Sequence, residues 1–165
     1  MEKYVRYGLV VLLVVLHAVF GVPEGFLQWS LLKRCAAYSF FHVNWWHLAV
    51  NCLAVWSIFV TPRKRWALQL LLAYAVAVAV YPLTPRPVLG ASNLLYALIG
   101  LRTPALSSPW WKRGTTVTFL LVTLAMVFIP RIAGLTHIYS FAAGVFLAGA
   151  GRLFNELTRD TRRYL

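Results

Sequence analysis

The sequence predicts an all-α membrane protein of six helices, the fourth too short to cross a bilayer, and three observations carry that expectation. Hydrophobic residues make up 61% of the 165-residue chain and charged residues 12%, against about 45–50% and about 25% in soluble domains. The apolar residues gather into six runs, at 4–22, 43–61, 66–83, 90–101, 114–130 and 132–154. The basic residues fall between those runs instead of lining one polar face. A water-soluble fold has nowhere to place this much apolar surface. The whole of 1–165 therefore reads as one membrane domain.

A spanning helix needs about 20 apolar residues at about 1.5 Å each. Five runs reach or approach that length. Run one follows Lys3 and Arg6, and with Ala18 to Gly21 at its end it also fits a cleaved leader. Keeping it gives an even number of spans. Trp45, Trp46, Trp66, Trp110 and Trp111 sit near the ends of runs, where interfacial aromatic belts belong. Run four is different. Pro82, Pro85 and Pro87 precede it, Pro104 follows, and Gly90 to Leu101 is twelve residues. Twelve residues make roughly 18 Å of helix against a hydrocarbon layer of about 30 Å. Irregular backbone at membrane depth is tolerated only inside protein or beside water. A wet cavity is therefore expected from the non-cytoplasmic side, with the first turn of run four as its floor.

Charge sets the orientation. Of the sixteen Lys and Arg residues, twelve fall at the N-terminus, in loops two–three and four–five, and in the tail. Lys33, Arg34, Arg86 and Arg131 fall on the other side. The larger count marks the cytoplasm, so the chain is expected to be multi-pass with both termini cytoplasmic. The net charge of +12 is explained by these topology signals, and nucleic acid is not an expected partner. Cys35 and Cys52 form no disulfide framework, and neither suggests a metal site or redox pair.

Ionisable residues inside spans mark functional sites by default. The four acids, Glu2, Glu24, Glu156 and Asp160, all lie outside the runs. That argues against a paired-aspartate protease, a His-Glu-x-x-His metalloprotease and a proton carrier with a membrane carboxylate. A Ser-His-Asp triad lacks its third member. Histidine, serine and asparagine remain. His47 and Asn51 share one helix face, four residues apart. Ser92 lies in the first turn of run four. His137 lies six residues past Arg131, roughly 9 Å in from that side. Three runs thus bring polar groups to one depth in one leaflet. Singly, Ser92 reads as a helix N-cap, His137 as a core histidine and Asn51 as interhelical glue. His42 reads as structural and His17 as packing. The shared depth raises Ser92, His137, His47 and Asn51 together to candidate functional residues. Gly144 and Ala148 lie on the His137 face of run six, and Ala97 and Gly100 lie on run four. Such faces let backbones approach closely, which would bring the serine and histidine within about 2.6–3.2 Å.

These residues resemble a known family. His42-Val43-Asn44-Trp45-Trp46-His47-Leu48-Ala49-Val50-Asn51 is similar to the rhomboid His-x4-His-x3-Asn signature. Gly90-Ala91-Ser92-Asn93 resembles the rhomboid Gly-x-Ser-Gly nucleophile segment, and His137 to Gly144 resembles its base helix. The resemblance implies a rhomboid-like bundle and an intramembrane serine endopeptidase. In it Ser92 attacks the scissile carbonyl and His137 takes the proton. His47, Asn51 and the Ser92 amide hold the oxyanion, with Gly90 and Asn93 flanking the nucleophile, and Tyr96 packs against His137. Arg34 falls where the family carries a loop arginine. Transmembrane protein substrates and the lipid bilayer are the implied partners, the cell (inner) membrane the implied location, with no cofactor and no metal. Asn93, Ser140 and Lys33 stand where the family usually has glycine, glycine and tryptophan. Asn93 is expected to narrow the cavity or reshape the oxyanion hole. The alternatives are an inactive rhomboid-like protein that binds other spans and a transporter or metal-handling protein using His42, His47 and His137. Absent membrane carboxylates and internal repeats argue against the transporter.

Overall fold

The computed structural model describes residues 2–58, 66–84, 87–103 and 134–161. Run five at 114–130, the basic loop residues Arg63, Lys64 and Arg65, and Arg86, Trp110, Trp111, Lys112, Arg113 and Arg131 lie outside the described residues. The rest is helical, as an all-α fold requires.

Helix α1 (Glu2–Phe20) follows run one. It ends where Gly21 takes a left-handed conformation, φ 56°, and its amide bonds the His17 carbonyl at 2.9 Å. Glycine adopts that ending without a Cβ penalty. The connection to run two is more ordered than its sequence suggested. A 3-10 turn (Phe26–Gln28) leads to a seven-residue helix α2 (Leu31–Ala37) and a second 3-10 turn (Tyr38–Phe40). Ser30 caps α2, its hydroxyl accepting from the Lys33 amide at 3.4 Å. Phe26, Cys35 and Tyr38 anchor the segment in the core.

Helix α3 (Trp45–Ile58) begins at Asn44, whose side-chain oxygen accepts the His47 amide at 2.8 Å, an N-cap that also fixes the first turn. Helix α4 (Trp66–Val80) runs into a 3-10 turn (Tyr81–Leu83), which Pro82 and the Thr84 hydroxyl close. Helix α5 (Ser92–Arg102) matches the short fourth run. Helix α6 (Gly134–Thr161) carries the sixth run seven residues beyond its apolar limit at 154. Nothing after Gly151 breaks a helix, so loss of apolarity alone does not end it. Among the described residues no helix is both long and apolar enough to cross a membrane.

Helix α5 is the centre of the assembly. Asn93 through Leu98 are all buried, and a helix covered on every side is a core helix. It packs between α4 and α6, and its contact with α6 is the most extensive between any two described elements. Ala73 and Ala77 of α4 are fully buried. A Cβ on Gly100 would strike the Phe141 carbonyl, and one on Gly144 would strike the Ala97 carbonyl. The two helices therefore touch backbone to backbone. Ser92 stands by His137 and Ala97 by Gly144, so the pair runs parallel and brings both N-terminal ends to one level.

Candidate active site

Ser92 and His137 meet at that level, with His137 Nε2 2.8 Å from Ser92 Oγ. Ser92 is half-buried and His137 buried. The pair spans α5 and α6, so its spacing is set by the close helix packing just described. Tyr96, one turn after Ser92, lies flat on the imidazole with centroids 4.4 Å apart and planes 7° apart. The stack leaves the ring little freedom to turn. His137 Nδ1 has no hydrogen-bond partner among the described residues, so no described carboxylate orients it.

The turn before Ser92 is held on several sides. Gly90 has φ 126°, a conformation that favours glycine. The His47 ring lies over its Cα, where a Cβ would collide with the imidazole. The Gly90 amide donates to the Tyr38 carbonyl at 3.0 Å. The Ala91 amide donates to His42 Nε2 at 3.3 Å. The first intrahelical bond of the turn is Leu95 amide to Ala91 carbonyl, 3.0 Å. Amides at a helix start have no intrahelical acceptor, and the helix dipole adds positive potential there. The Ser92 amide thus stands beside the Ser92 hydroxyl with its donor uncommitted inside α5.

His47 reaches this region with its ring against Gly90. Asn51 is buried and donates one amide hydrogen to the His47 carbonyl at 2.8 Å. It therefore braces the helix turn that carries His47. Asn93 is buried, and its side-chain oxygen has no hydrogen-bond partner among the described residues.

Ser92, His137, Tyr96, His47 and Gly90 are thus one cluster, with Asn51 and Asn93 behind it. His42 joins them through Ala91, and His17 packs edge-on against Trp45 at 4.6 Å. Tyr38 is the residue that sequence reasoning missed. Its carbonyl holds Gly90 and its hydroxyl donates to the Ala77 carbonyl at 3.0 Å. A tyrosine four before His42 carries no motif that flags it. Arg34 lies in the last turn of α2, and Lys33 stacks over Trp29 at 4.3 Å. Among the described residues no group of three or more His, Cys, Asp or Glu is placed to hold a metal.

The family model of the rhomboid domain matches residues 28–152. The chain belongs to the rhomboid family. The match takes in α2 to α5 and most of α6, and with them every residue of the cluster. A rhomboid domain makes this an integral membrane protein, and rhomboids are either intramembrane proteases or inactive relatives of them. No curated protein and no solved structure matches the chain.

Proposed function

We propose that this rhomboid is an active intramembrane serine endopeptidase using a Ser92–His137 dyad. The observation that carries the reading is the 2.8 Å approach of His137 Nε2 to Ser92 Oγ across two helices. An inactive relative has no need of that approach, of the flat Tyr96 stack or of a half-open serine.

In the proposed reaction Ser92 Oγ attacks the scissile carbonyl while its proton passes to His137 Nε2. The carbonyl oxygen becomes an oxyanion facing the Ser92 amide, with His47 and Asn51 as the side-chain donors. One such donor contributes about 2.7–4 kcal/mol to the transition state. His137 returns the proton to the leaving amine, the C–N bond breaks, and an acyl ester remains on Ser92. Water, deprotonated by His137, then hydrolyses the ester and restores the serine. With no carboxylate partner, the imidazolium formed in each step faces the Tyr96 ring, whose electron-rich face favours a cation. The reading needs no cofactor.

The same proposal takes 1–165 as one six-span domain with both termini in the cytoplasm and the substrate as a transmembrane segment of another membrane protein, in the cell membrane. A fluorophosphonate probe tests it on purified protein. Wild type labels at Ser92, while Ser92→Ala and His137→Ala do not, and only wild type cleaves a model membrane substrate. Cleavage that persists in Ser92→Ala refutes the assignment. A wild type that neither labels nor cleaves points to the inactive, span-binding rhomboid instead.

A further inference from the structure

The segment 36–42 lies where three helix ends meet, and two tyrosines hold it there. Tyr38 is 0% exposed, and its hydroxyl donates to the Ala77 carbonyl of α4 at 3.0 Å. Tyr74 of α4 returns the arrangement: its hydroxyl donates to the Ala36 carbonyl of α2 at 2.6 Å. Both acceptors lie in the last four residues of their helices, where a carbonyl has no amide of its own helix to meet. Each tyrosine thus fills an acceptor that a helix end leaves open. The rings are fixed as well. Tyr38 lies against Tyr81 with centroids 4.5 Å apart, and Tyr74 against Phe40 at 5.7 Å. From this braced segment two acceptors meet the approach to α5. The Tyr38 carbonyl takes the Gly90 amide at 3.0 Å, and His42 Nε2 takes the Ala91 amide at 3.3 Å. Ser92 follows these two residues directly.

We infer that Tyr38 and Tyr74 are positioning residues: by fastening the 36–42 segment to α4 they set the place of the Gly90–Ala91 turn, and with it where Ser92 Oγ stands relative to His137 Nε2. The inference rests on the proteolytic reading of that pair and extends it to two hydroxyls engaged elsewhere, on Ala77 and Ala36. A purely structural tyrosine would hold the fold and leave the serine alone. Here the carbonyl that holds Gly90 belongs to the residue whose hydroxyl is tied to α4, so loosening one end moves the other. Helix α4 itself packs on α5, which closes the brace.

The test compares Tyr38→Phe and Tyr74→Phe as full-length protein, with Leu13→Ala as a stability control. Each phenylalanine keeps the ring and removes only the hydroxyl, and if one variant fails to fold the other carries the test. Leu13 is 1% exposed on α1, outside the brace, and its truncation lowers the melting temperature by leaving a cavity. The fluorophosphonate reaction gives a maximal inactivation rate and an apparent probe affinity, measured beside a melting curve. Each tyrosine variant should lower the maximal rate about tenfold and leave probe affinity within about twofold, given that a misplacement near 1 Å costs up to about 100-fold. Leu13→Ala should react at the wild-type rate. A maximal rate within about twofold of wild type in either folded tyrosine variant overturns the inference and leaves the protease reading intact. An equal rate loss in Leu13→Ala does the same, because the effect is then one of stability alone. Should wild type fail to label, the protease reading fails by itself. The brace is then read by hydrogen exchange at the Gly90 amide, which must accelerate more in both tyrosine variants than in Leu13→Ala; exchange that does not overturns it.

Discussion

Replacing Gly144 by alanine adds one methyl group at the place where α6 lies on α5. The new Cβ would land on the Ala97 carbonyl oxygen and 3.0 Å from the Leu101 amide nitrogen. Both are backbone atoms, which cannot swing aside as a long side chain would. Ordinary contact returns only if the helices part by about 1 Å, at a cost of about 1–3 kcal/mol for overpacking. Ser92 and His137 sit on those same two helices. Their 2.8 Å separation then opens beyond hydrogen-bond reach, and a shift of that size lowers rate by up to about 100-fold. Fluorophosphonate labelling of Ser92 and cleavage of a membrane-tethered reporter, each beside a melting curve, measure the effect. Gly149→Ala is the control: it lies on the same helix with nothing among the described residues within 4 Å of the added atom, and alanine favours helix. It should label like wild type. If Gly144→Ala labels within about twofold of wild type, the argument that backbone contact fixes the dyad is wrong.

Two other substitutions probe the cluster from different sides. Gly90→Ala is strained twice, by φ 126° and by collision with the His47 ring; the backbone strain alone is worth about 1–3 kcal/mol, so the melting temperature should fall and cleavage should be lost, and an active, fully stable variant contradicts the placement of His47 over the turn. Tyr96→Phe keeps the flat ring against His137 and should retain most activity, whereas Tyr96→Ala frees the imidazole and should lower the turnover number by about tenfold; equal turnover in the two variants, measured by steady-state kinetics, shows that the stack does not orient the base.

The all-α character was legible because apolar runs announce helices by composition, while among the described residues no helix is long and apolar enough to cross a membrane and run five lies outside them. The fourth run was readable as short because prolines fence it, and α5 has the limits those prolines set. Ser92, His137, His47 and Asn51 were visible as candidates because polar groups are sparse in apolar runs. Other features were hidden for physical reasons. Helix α2 is seven residues long, below the length at which periodicity speaks, and the Ser30 cap was its one local signal. The extent of α6 was misjudged because a helix propagates through polar residues when no glycine or proline stops it. Tyr38 was invisible because its role comes from main-chain and hydroxyl contacts made 39 and 52 positions along the chain. The burial of Asn93 could not be read either: a sequence states that a larger residue replaces glycine, and only packing decides whether it is covered.

The contact of α5 with α6 through bare backbone has a further consequence. The distance between hydroxyl and imidazole is inherited from peptide groups, which every sequence shares. Phe146 and Leu153, exposed on the outer side of α6, have no part in it. Mutation can therefore rewrite that outer surface to suit a different lipid environment or neighbour while the hydroxyl and the imidazole keep their separation.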